Sequence, residues 1–75
     1  MDANKLTELK RTSSYLRTLG YSCELIDGEV NSNHHCWLKV DDIIVDPTAD
    51  QFKKPNGARM PKIYVGEKPK WYKEQ

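Results

Sequence analysis

Leu6, Leu9, Ser13, Leu16 and Leu19 recur at steps of three and four residues, while Lys5, Lys10, Arg11 and Arg17 fall largely outside that stripe. The spacing predicts an amphipathic helix over residues 3–19. Asp2 is its expected N-cap, and Gly20, which takes a positive φ without a Cβ clash, its expected stop. Beyond the helix the period shortens to two. Tyr21, Cys23 and Leu25 alternate with Ser22 and Glu24, which predicts a half-buried strand over 21–27 ending at an Asp27-Gly28 turn, with a polar loop over 29–33. Alternation returns from His34 to Val40: Cys36, Leu38 and Val40 lie on one face, turned toward the helix, and His35, Trp37 and Lys39 on the other.

Asp41-Asp42 separates this run from Ile43-Ile44-Val45-Asp46, the pattern of a tight hairpin. Pro47 lacks a backbone donor and should end the third strand. Pro55-Asn56-Gly57 and Pro61 mark a flexible loop, Ile63 to Val65 a short edge strand, and Gly66 onward a polar tail that carries Trp71 and Tyr72. The expected fold is α+β: one N-terminal amphipathic helix packed on a three- to four-stranded antiparallel sheet, with a single domain over 1–66 and a tail over 67–75.

With 75 residues, of which 37% are hydrophobic, the chain has material for one core and one site. A chain of this size buries only about 60% of its unfolded surface, so homodimerisation is an expected way to gain stability. The absence of a signal peptide and of an apolar run near the ~18 residues of a membrane span predicts a soluble, cytoplasmic protein with no membrane partner. Two cysteines, Cys23 and Cys36, are too few for a stapled scaffold and are read as free thiols rather than as a disulfide. The formal charge of +1 is unevenly spread: residues 53–75 hold seven Lys and Arg against Glu67 and Glu74. Such a segment can attract nucleic acid, but without an Arg and aromatic ladder a solvated tail is the favoured reading.

If the hairpin turns on Asp41 and Asp42 alone, Trp37 faces Asp46, His35 faces Thr48, and His35 and Asp46 become diagonal neighbours on one face. At about 7 Å between backbones an imidazole and a carboxylate can share a hydrogen bond. A carboxylate on a histidine fixes its tautomer, the orienting role in a catalytic triad, although on spacing alone a purely structural bond is the commoner case. His34, His35, Cys23, Cys36 and Asp46 are also zinc-ligand types. Adjacent strand residues face opposite ways and there is no Cys-x-x-Cys or His-x-x-x-His, so no metal site and no cofactor are expected, and His34 is read as a loop-edge residue.

His35-x-Trp37, followed by Ile44-Val45-Asp46-Pro47-Thr48-Ala49-Asp50-Gln51-Phe52, resembles the histidine and aspartate half of bacterial and phage papain-like or transglutaminase-like cysteine hydrolases. Residues 61–66 are similar to the closing strand of that family. The resemblance implies a reduced form of the family's core, with His35 as base and Asp46 as orienter. It also implies a cysteine near the start of the preceding helix, where the helix dipole lowers a thiol pKa. Laid on Ser13, Leu16, Leu19 and Gly20, that slot falls at Leu9, which offers no nucleophile. Ser13 and Ser14 sit too deep in the helix to replace it, and Cys23 and Cys36 are read as core cysteines.

The first functional reading is therefore a non-catalytic protein-binding module derived from that fold, with the family setting and small size implying a phage or mobile-element accessory protein or inhibitor. The second is a cysteine hydrolase or deamidase that acts on amides with a thiol from Cys23, Cys36 or a second subunit. The third is nucleic-acid binding through the basic C-terminal segment. Trp37 is a candidate binding residue, a ring that stacks on a ligand or, the favoured reading, an apolar cover over the His35 and Asp46 pair, and Trp71 and Tyr72 are read as contacts for a partner protein.

Overall fold

The computed structural model describes residues 3–74. Helix α1 (Ala3–Thr18) is followed by strands β1 (Glu24–Val30), β2 (Asn33–Val40) and β3 (Ile43–Asp46), a short 3-10 turn (Ala49–Gln51), β4 (Tyr64–Gly66) and β5 (Tyr72–Glu74). The strands form one antiparallel sheet in the order β4-β3-β2-β1-β5. The fold is α+β as expected, with five strands instead of three or four.

The helix stops where its chemistry demands. Gly20 has φ +94°, its N–H reaches the Arg17 carbonyl at 3.0 Å, and the Tyr21 N–H reaches the Leu16 carbonyl at 3.1 Å. This paired closure around a left-handed glycine satisfies carbonyls that the last turn would leave bare. The expected cap at Asp2 lies outside the described residues. Leu9 is buried, and Leu16 packs at the edge of a cluster of Leu9, Cys36, Leu38, Val40 and Val45. Full burial of one leucine side chain contributes about 1.5–3 kcal/mol. Leu6 and Leu19 remain exposed because the helix sits over β2 and leaves the flanking strands uncovered.

The β2–β3 hairpin has the expected register, with Leu38 opposite Val45 and Val40 opposite Ile43. β1 does not. Its chain reversal is made by Asn31 (φ +51°) and Ser32 (φ +67°), the double left-handed geometry that matches strand twist. Asp27 and Gly28 lie inside the strand, and the segment expected as a loop supplies Glu29 and Val30 to it. Gly28 is there for space: a Cβ at that position would strike the Trp37 ring and the Lys73 carbonyl oxygen of β5.

The supposed tail is part of the sheet. β5 pairs with β1, Val30 opposite Tyr72, and Tyr72 is only 1% exposed. Tyr64 and Tyr72 stand on strands at opposite edges, yet their ring centroids are 6.4 Å apart, so the sheet curls until its edges meet over the face away from the helix. Val30, Trp37, Ile44, Ala49, Met60 and Tyr72 fill that concave face. Residues 49–62 cover it through Phe52 and Met60. The expected flexible loop is a tight turn: the Gly57 N–H bonds the Lys54 carbonyl and the Lys54 N–H bonds the Ala58 carbonyl, both at 2.8 Å.

Candidate functional site

Asp46 ends β3 on the concave face and is completely buried. The Asp-Pro-Thr sequence turns the chain so that the Thr48 N–H (3.0 Å) and hydroxyl (3.2 Å) both donate to Oδ1. Oδ2 accepts His35 Nε2–H at 2.8 Å and the Tyr72 hydroxyl at 2.6 Å. Burial alone would raise the pKa of this carboxyl; the bonds from His35, Tyr72 and Thr48 outweigh it and hold the group below its ordinary value. The same burial, with the Asp46 charge beside it, pushes the Tyr72 phenol well above its usual range.

His35 and Asp46 thus meet as the strand register implied. The second ring nitrogen of His35 is also engaged: the Gln51 amide donates to Nδ1 at 3.2 Å and to the Thr48 hydroxyl at 3.1 Å. Phe52 closes against the imidazole edge-on at 4.6 Å between centroids, and His35 is 4% exposed. A base needs a free nitrogen facing its proton donor. This imidazole has none.

No thiol faces it either. Cys36 and Cys23 belong to the helix-side cluster, across the sheet from His35, as does Leu9 at the slot where the family resemblance places a nucleophile. Both cysteines are free. The Cys36 thiol is pushed up by burial and by the Asp27 carboxylate next to it, the opposite of an activated nucleophile. Trp37 is fully buried under Tyr72 (5.1 Å between centroids), and its N–H has no hydrogen-bond partner, so it is a core ring and cannot stack on a ligand. Tyr72 is a core residue too, and the expectation that it contacts a partner fails because its hydroxyl is committed to Asp46. Trp71 alone of these aromatics is partly exposed.

A second polar group lies on the helix side. Asp27 of β1 stands directly opposite Cys36 of β2, and His34 is two residues from Cys36 on the same face. His34 Nε2 bonds Asp27 Oδ1, and Cys36 Sγ lies 3.5 Å from that same oxygen. The bond from His34 is the main reason why the Asp27 carboxyl is held below its ordinary value. His34 is therefore a strand residue with a partner. Alternation along β2 separates His34 from His35 but not from Cys36, and the third member, Asp27, lies in β1 and not in the expected turn.

Two of the surface cavities combine apolar and cationic side chains. On the helix side a cavity of about 310 Å³ has Leu9 and Leu38 at its base, Leu6 and Leu25 on its flanks, and Lys10 and Arg17 at its rim. Leu25 is 52% exposed, because the helix leaves β1 bare. Where the two sheet edges meet, a second cavity of about 380 Å³ gathers Lys54, Lys68 and Lys70 around Tyr64 and Trp71.

Sequence reasoning missed Thr48, Gln51 and Tyr72 as partners of the pair. The first was available from Asp-Pro-Thr turn chemistry, whereas Tyr72, 26 residues from Asp46, carried no local signal. Among the described residues no helix is long and apolar enough to cross a membrane. No protein-family model, no curated protein and no solved structure matches the chain.

Proposed function

We propose that the chain is a non-catalytic protein-binding module of the cytoplasm, built on the histidine and aspartate strands of a transglutaminase-like core. The observation that carries this reading is the saturation of His35: both ring nitrogens are hydrogen-bonded, and both thiols lie across the sheet. The pair works as an internal brace. What the molecule offers outward is the helix-side groove, whose flanking Leu6 and Leu25 are open and whose rim is cationic through Lys10 and Arg17. An amphipathic segment of another protein, apolar on one face and acidic at its margins, complements both properties.

The test is cross-linking capture with wild type and Leu25→Glu, followed by purification of any captured partner and a direct binding titration. The reading requires a partner that binds wild type in isolation and loses about tenfold or more in affinity with Leu25→Glu, the scale of one interface anchor. A partner indifferent to Leu25→Glu, or self-association of the wild type abolished by it, would overturn the reading, the latter in favour of a homodimer.

A second reading has its own observation, the three lysines around Tyr64 and Trp71. Cationic side chains beside exposed aromatic surface suit single-stranded nucleic acid. Binding of a labelled oligonucleotide that weakens steeply with salt and is lost in Lys68→Glu/Lys70→Glu would support it; salt-insensitive or absent binding removes it.

A further inference from the structure

We propose that Asp27, His34 and Cys36 form a binding site for a thiophilic divalent cation of the zinc class. Their donor atoms, one carboxylate oxygen, one imidazole nitrogen and one sulfur, all lie within 4.8 Å of one another. In a tetrahedral zinc site, bonds of about 2.0–2.3 Å place ligand atoms about 3–4 Å apart. Cys36 Sγ already lies 3.5 Å from Asp27 Oδ1; the His34 and Asp27 atoms, now in direct contact, must part to admit the ion, while His34 closes on the sulfur by no more than about an ångström. The side chains that must move are free to do so: those of His34 and Asp27 are 49% and 63% exposed, whereas Cys36, 6% exposed, is the fixed anchor.

The backbone fixes this convergence. Asp27 and Cys36 are direct cross-strand partners, and the Asn31-Ser32 turn, one residue pair beyond Glu29 and His34, sets the register. An ordinary surface ion pair between His34 and Asp27 contributes only about 0–1 kcal/mol and has no need of a thiol aimed at the same oxygen. The donor set also selects. Sulfur and imidazole favour zinc or cobalt over magnesium and calcium, which take oxygen ligands. Glu29 stands directly opposite His34 on the same face, in register to supply a fourth oxygen, and water can serve otherwise. On binding, the sulfur bonds the cation as thiolate and its proton passes to solvent, so no oxidant or reductant is involved.

The site lies across the sheet from the His35 and Asp46 brace and depends on neither functional reading above. A cation there would tie β1 to β2 close to the uncovered Leu25.

The experiment is titration of the full chain, reduced and without a histidine tag, with Co²⁺ in place of Zn²⁺. A saturable near-ultraviolet thiolate-to-cobalt band with the intense visible absorption of tetrahedral cobalt is expected, bleached by equimolar Zn²⁺. Cys36→Ser must abolish the band and Cys23→Ser must leave it. His34→Ala and Asp27→Ala alter exposed side chains and keep the fold even if Cys36→Ser does not; each should weaken cobalt binding about tenfold or more, since even residues that only support a ligand cost that much. Absence of the band in wild type, its survival in Cys36→Ser, its loss in Cys23→Ser, or unchanged affinity in both His34→Ala and Asp27→Ala would overturn the proposal.

Discussion

Tyr72→Phe removes one atom from the centre of the molecule. The ring keeps its packing against Trp37, 5.1 Å away, and no cavity larger than the lost oxygen appears. What goes is the 2.6 Å bond to Asp46 Oδ2, between groups that are 1% and 0% exposed. Hydrogen bonds to a charged group contribute about 1.5–3 kcal/mol. A chain of this length has about 4–11 kcal/mol in total, so the variant folds but with a clear deficit. Its Tm should fall by about 4–8 °C for each kcal/mol lost.

The pH dependence separates this account from a generic packing loss. The folded pKa of Asp46 is depressed, so its charge stabilises the fold above the unfolded carboxyl value of about 4 and that contribution is lost as pH falls through the folded value. With one donor fewer, the variant's folded pKa rises toward the unfolded one. Its acid limb therefore starts from the same unfolded value but is shallower and ends at higher pH, so the gap to wild type narrows as pH falls through the folded values, to about 1 kcal/mol, the contribution of a neutral hydrogen bond. Urea unfolding followed by tryptophan fluorescence at neutral and acid pH measures both quantities. A variant within about 0.5 kcal/mol of wild type at neutral pH, or a gap that is the same at both pH values, would refute the argument.

Gly28→Ala should cost about 1–3 kcal/mol, because its methyl group strikes the Trp37 ring and the β5 backbone; amide exchange in β5 should quicken with it, and unchanged stability would show that β5 does not sit against β1 as described. Ser32→Gly should stabilise by about 0.5–1 kcal/mol, since Ser32 at φ +67° occupies a left-handed position that glycine takes without strain; a lower urea midpoint would contradict that turn. Alkylation followed by peptide mass should label Cys23 well before Cys36, whose thiol is buried and held protonated beside Asp27. A fast Cys36 whose rate depends on His35 would restore the hydrolase reading.

The sequence disclosed most where a signal was local. Asp41-Asp42 between two alternating runs set the β2–β3 register, and with it the meeting of His35 and Asp46. The leucine stripe and Gly20 likewise gave the helix and its stop. Asp27-Gly28 misled because glycine has two uses: here it clears room for an indole from the next strand, while Asn31-Ser32 makes the turn. That single misplacement also concealed Asp27 as the cross-strand neighbour of Cys36. Tyr72 was illegible for a different reason. Among lysines and three residues after Pro69 it looks like a surface aromatic, and only the closed curl of the sheet shows that it completes the shell around Asp46.

The brevity of the outer strands has a consequence for how the protein behaves at high concentration. β4 and β5 are three residues each, flanked by Lys68 and Pro69 on one side and Lys70 on the other, with Lys73 inside β5 itself. A foreign strand that tried to extend the sheet would find few backbone groups to pair with and would have to cover exposed lysine charge as it did so. Fibril-like stacking through the sheet margins is therefore disfavoured, and a concentrated solution should stay free of it even though so much of the chain is β-structure. Self-recognition and partner recognition are thereby steered toward side-chain surfaces, where sequence can specify them.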